Sequence, residues 1–158
     1  MTQSKPRSKS TRILLWIGAV LGGLILVFAI FMGVMMARMN DVPDNLDTST
    51  THSSDNGLFK VSYTPSNGTV PVNQMHEWTL HVETADGEPV ENATITVDGG
   101  MPQMGHGLLT QPRITKYLGN GDYLVEDAKF EMGGWWVIDF VITAQGQSDT
   151  VQFNMILE

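Results

Sequence analysis

Two thioether sulfurs and an imidazole are spaced as Met101-x-x-Met104-x-His106 within Gly99-Gly-Met-Pro-Gln-Met-Gly-His-Gly-Leu-Leu-Thr-Gln-Pro112. A thioether has no proton to lose and suits copper(I), while neutral imidazole suits copper, zinc and nickel. The chain contains no cysteine, which excludes disulfides, thiolate zinc sites and cysteine nucleophiles. Glycines on both sides would let the backbone bend until these nearby side chains meet on one ion. A copper ion is therefore the cofactor this spacing points to. The competing expectation is structural: methionines fill gaps, and a Met-Pro-x-Met loop can tuck over the end of a fold while His106 bonds a neighbouring carbonyl.

Other residues could complete the set. His76 shares parity with Trp78, so it points inward near one end of its strand, as a ligand or as a satisfied core histidine. Met132, in Phe130-Glu-Met-Gly-Gly-Trp-Trp136, precedes a strand and is expected at the same end as the glycine-rich loop. Met75 is a further candidate. Trp135 is placed to shield a thioether site from water or to pack on a neighbouring sheet surface. His81 has the opposite parity to His76 and is expected at the surface, and His52 is expected to be solvated. No nucleophile elbow, phosphate-cradling loop or triad order is present, so a non-enzymatic role is expected, with no small-molecule substrate.

These side chains need elements to hold them, and residues 57–158 supply a period-two pattern without an amphipathic helical one. Leu58–Thr64, Met75–Thr84, Asn92–Asp98, Pro112–Leu118, Asp122–Glu126, Trp135–Thr143 and Thr150–Leu157 read as strands. Ala85-Asp-Gly-Glu-Pro89 and Gly119-Asn-Gly121 read as turns. The segment 99–112 carries too many glycines and prolines for a paired strand and is expected as a loop. About seven short strands at this spacing predict an all-β, immunoglobulin-like antiparallel sandwich. Gly121-Asp-Tyr123 fits a tyrosine entering a late strand, as in a tyrosine corner.

Ahead of the sandwich the chain changes character. Residues 1–12 carry four cations and no acid, and form a basic tail. Ile13 to Ala37 is an uncharged apolar run of 25 residues. As a helix it would measure about 37 Å, enough to cross a hydrocarbon core of about 30 Å. The run is longer than the apolar part of a cleaved signal peptide, so an uncleaved anchor is expected. The cations before it predict a cytoplasmic N-terminus and an extracytoplasmic, periplasmic C-terminal domain at the inner (plasma) membrane. Residues 38–56 are polar and acidic and read as a flexible linker. Residues 41–158 hold all 17 acids against four cations, a net of −13, so a nucleic-acid partner held by a basic surface is not expected.

His76-x-Trp78, Val97-Asp-Gly-Gly-Met-Pro-Gln-Met-Gly-His-Gly107, Thr110-x-Pro112, Gly121-x-Tyr123 and Phe130-x-Met132-x-Gly134-x-Trp136 together resemble the YtkA-like/FixH-like family. These are small extracytoplasmic β-sandwich modules, often behind one membrane helix. The resemblance covers roughly residues 58–157. It implies an association with metal handling, copper in particular, and with respiratory oxidase assembly, hence a membrane-protein partner. Members often carry His where this chain has Met104, so the site here is richer in sulfur. Two readings follow: a membrane-anchored copper-binding or delivery module, with Met101, Met104, His106, His76 and Met132 as ligands, or a metal-free sandwich that docks on a membrane protein complex.

Overall fold

The computed structural model describes residues 9–39 and 42–158, so most of the expected basic tail lies outside the described residues. The chain divides into two compact units, Met1–Asp41 and Val42–Glu158. The first contains helix α1 (Lys9–Met39), of which Gly18–Met36 is long and apolar enough to cross a membrane. Its side chains over 18–36 are exposed and apolar on all sides, with no polar face to turn toward water.

The second unit is built from nine antiparallel strands rather than about seven: β1 (Thr51–Ser53), β2 (Phe59–Pro65), β3 (His76–Thr84), β4 (Thr94–Met101), β5 (His106–Gly107), β6 (Arg113–Gly119), β7 (Asp122–Ala128), β8 (Gly134–Ala144) and β9 (Gln147–Leu157). All seven strands expected from alternation are present, and β1 and β5 are additional. Hydrogen bonding runs in the order β1-β2-β3-β7-β6-β4-β8-β9, with β5 on β4. The β6–β4 junction is a single pair, Thr96 with Arg113, so the order folds into two layers. β2-β3-β7-β6 against β4-β8-β9 is the constant-type immunoglobulin arrangement.

Alternation places Val61, Trp78, Leu80, Val82, Val125, Ile138, Phe140, Val151 and Phe153 in the core between the layers. Each such side chain contributes roughly 1.5–3 kcal/mol by leaving water. Trp78, Phe130, Phe140, Phe153 and Tyr63 make a chain of ring contacts with centroids 5.0–6.3 Å apart. Tyr123 pins the connection between β3 and β4. Its buried hydroxyl donates to the Val90 carbonyl at 2.7 Å and accepts from the Ala93 N–H at 3.0 Å. It sits on β7 and reaches back some thirty residues, rather than turning a local corner. The β6–β7 turn has Asn120 and Gly121 at φ 52° and 78°, as a two-residue hairpin of this hand requires.

Three expectations are corrected. The sandwich begins before Gly57, because β1 pairs with β2 inside the segment read as linker. His52 on β1 is not solvated: its ring stacks on Phe153 at 4.8 Å and its Nδ1–H donates to the Gln152 carbonyl at 2.7 Å. The stretch Gly99–Met101 is not loop either, since it completes β4, with Gly99 and Gly100 paired to β8 and Met101 to β5. A Cβ at Gly99 would lie 2.5 Å from Ile138 Cδ1 and 2.7 Å from the Val137 carbonyl; at Gly100 it would lie 2.8 Å from the His106 carbonyl. These glycines permit close strand approach instead of breaking a strand.

Candidate functional site

Antiparallel pairing puts the start of β3, the end of β4, all of β5, the end of β7, the start of β8 and the end of β9 at one end of the sandwich. All five expected ligands belong to this tip. Met101 and His106 are direct partners in the β4–β5 ladder, so their side chains leave the same face with Cβ atoms about 4.5–5.5 Å apart. The four residues between them form a tight loop, in which the Met104 and Gly105 N–H groups both donate to the Met101 carbonyl. Gly105 turns the loop at φ 66°. Met104 stands near its apex, 60% exposed, whereas Met101 is 3% exposed.

Met101 lies over a notch in the backbone. A Cβ at Gly134 (φ 123°) would fall 2.8 Å from the Met101 methyl, and one at Gly133 would fall 2.8 Å from the Leu157 carbonyl. Gly134 therefore makes room for the Met101 side chain, and Gly133 for the close approach of the β9 backbone. Met132, 39% exposed, precedes that pair, and its carbonyl accepts the Trp136 indole N–H at 3.0 Å. The Trp136 ring meets His106 edge-on at 6.2 Å. Trp136, not Trp135, is thus the aromatic wall of the tip; Trp135 bonds Asn154 on the outer face. Strand parity carried the signal, since it already turned Trp136 inward. Met75 is exposed on the same end.

His76 stands apart from this group. It is 8% exposed and its ring lies 5.5 Å from Phe130, which lies 5.0 Å from Trp136. Ring contacts through Phe130 and Trp136 link it to His106. An extra residue in β7 sets its facing. Asp127 (φ 62°) bulges out to pair with Arg113 at 2.9 Å, so that Ala128 rather than Asp127 sits opposite His76. His76 Nδ1–H donates to the Gln74 carbonyl at 3.1 Å, leaving Nε2 as the unprotonated nitrogen, buried and without a partner. Burial lowers its pKa more than the Gln74 bond raises it, so the imidazole is neutral at pH 7.

On the outer side of the same hairpin, an open cleft of about 300 Å³ is lined by Met101, Pro102, His106, Val137 and Asp139. Asp98 lies directly opposite Asp139 across the β4–β8 ladder. Among the described residues, no three His, Asp or Glu side chains gather where they could hold a metal ion. The β4–β5 hairpin instead carries two thioethers and one imidazole within six residues, donor types softer than a hard cation prefers.

A sequence model of the YtkA-like family matches residues 51–141. The chain belongs to the YtkA-like family. The match begins at β1 and runs into β8, so the part of the tip from His76 to Trp136 in this YtkA-like domain falls inside it. Helix α1 and β9 lie outside. No curated protein matches the sequence.

Proposed function

We propose that this YtkA-like protein is a membrane-anchored, extracytoplasmic copper-binding module, non-enzymatic, that serves metal delivery or respiratory oxidase assembly. Met101, Met104 and His106 form the ligand set, with Met132 beside it. The single observation that carries this reading is the pairing of Met101 with His106 across the β4–β5 ladder, with Met104 on the loop that joins them. His76 is left out of this minimal set, because it is buried against Trp78 and Phe130 and its contact with His106 is only indirect, through ring neighbours. When bound, copper would supply a soft electrophilic centre for exchange with a partner's ligands. Gly134 keeps Met101 seated, Trp136 excludes water from one side, and the facing Asp98 and Asp139 raise the local cation concentration. Tethering through α1, with its N-terminus in the cytoplasm, would hold the site near membrane acceptors.

The test is a copper(I) titration of the full-length protein in detergent against a competing chelator. One-to-one binding with submicromolar Kd, weakened at least about tenfold in Met104→Ala and His106→Ala, supports the reading (about 1.4 kcal/mol per decade). A folded protein that binds no copper(I) overturns it. That outcome favours a metal-free docking module, the reading to which the exposed Met75, Leu109 and Met132 side chains lend support.

A further inference from the structure

The two sulfurs of the candidate ligand set are three residues apart and differ sharply in access. Met101 is sealed at 3% exposure, its methyl against the Gly134 notch, while Met104 is 60% exposed near the loop apex. Oxidation of a thioether to the sulfoxide makes a flexible apolar side chain polar and removes its soft donor character. Reagent must reach the sulfur, so the exposed member of the pair reacts first.

We propose that Met104 is a reversible oxidation site, whose conversion to the sulfoxide by hydrogen peroxide unloads copper(I) from the tip while Met101 stays reduced. The inference rests on the copper reading above. The Met104 sulfur attacks one peroxide oxygen; an S–O bond forms and the O–O bond breaks. Sulfur gives up two electrons, the proton on the attacked oxygen passes to the departing hydroxide, and the peroxide is reduced to water. The site then keeps Met101 and His106, held opposite each other by the β4–β5 ladder, and loses the donor that bridges them. Reduction of both sulfoxide epimers by methionine sulfoxide reductases restores it.

The experiment uses the full-length protein in detergent, treated with graded hydrogen peroxide without metal, and maps each methionine by peptide mass spectrometry. Met104 is expected to oxidise at least about tenfold faster than Met101. Equal rates overturn the proposal. The same samples are then titrated with copper(I). The affinity should fall at least about tenfold in proportion to Met104 sulfoxide and recover on enzymatic reduction. Unchanged affinity with Met104 fully oxidised overturns the switch. In Met104→Leu, the residual affinity should no longer respond to the same peroxide dose; an equal further loss would assign the effect to another methionine and overturn the proposal. Absence of copper(I) binding before any peroxide overturns the copper reading itself. The metal-free oxidation order distinguishes that failure from failure of the switch.

Discussion

His76 and His81 lie five residues apart on β3 and live under opposite conditions. His81, on the outer face, has Nδ1 at 2.6 Å from Asp122 and Nε2 at 3.2 Å from Glu83, so both ring nitrogens donate to carboxylates. Burial alone would lower its pKa, but the hydrogen bonds it donates to Asp122 and Glu83 and their charges outweigh it and raise the pKa. His76, on the inner face at the tip, has one nitrogen satisfied and one bare. The contrast extends beyond the pair. Away from the tip, Asp149 on β9 is buried yet accepts from the Asn56 backbone and side chain and from the Leu58 and Thr150 N–H groups. Tyr123 is equally well matched. The buried side-chain atoms without partners among the described residues belong to His76, Trp78, Thr110 and Glu131. Asp149 and Tyr123 hold the fold together through their bonds, while His76 at the tip keeps a bare nitrogen at a cost to stability.

Substitutions can break this contrast, and the largest effect belongs to the body. Tyr123→Phe leaves the Val90 carbonyl and the Ala93 N–H without their buried partner and should lower stability by about 1–3 kcal/mol in denaturant unfolding. A change below about 0.5 kcal/mol would show that the pin is ornamental.

Asp149 supplies the next effect, read through pH. Burial pushes its pKa up, but hydrogen bonds from Ser54, Asn56, Thr150 and Leu58 outweigh that and hold it at about 2, below the ordinary 3.8. Its contribution is complete above the unfolded value and is lost as pH falls from about 4 toward 2. The thermal midpoint should drop across that window, and the drop should flatten in Asp149→Asn. Identical slopes in the two proteins would contradict the assignment.

His81 works in the other direction and more weakly. Its folded pKa is raised, so its stabilisation is present below the unfolded value near 6.5 and fades as pH rises through the folded one. A partly exposed pair of this kind is worth a few tenths of a kcal/mol. The alkaline loss should vanish in His81→Gln. The smallest effect belongs to the tip: His76→Leu, which removes an unpartnered buried nitrogen, should leave stability within about 0.5 kcal/mol of the parent or raise it. A loss as large as that of Tyr123→Phe would mean His76 is a structural member of the core after all.

Much of this was legible from residue order. Parity turned Trp78, Trp136 and Phe153 inward and placed His76 on the buried face, because a strand's alternation is a local property. Gly119-Asn-Gly121 announced its hairpin for the same reason. β1 escaped notice because Thr51-His-Ser53 has no apolar alternation; it is held by pairing with β2 and by the stack of His52 on Phe153. Gly99 and Gly100 misled because their need for a missing Cβ comes from Ile138, Val137 and His106, residues beyond the reach of a local pattern. At the candidate site, the placement of Met101, Met104 and His106 on one hairpin was visible as spacing. The ring contacts of His76 with Trp78 and Phe130 were not, since they depend on how the two layers pack.

The short strand β1 has a wider consequence. It covers the outer edge of β2, while on β9 the Thr150 carbonyl takes the Asp55 N–H and the Gln152 carbonyl takes His52. Exposed strand edges are templates along which identical molecules zip into polymers, and the risk grows when copies are confined to a plane. β1 thus shields one edge strand in each layer while offering only three residues of its own as a template.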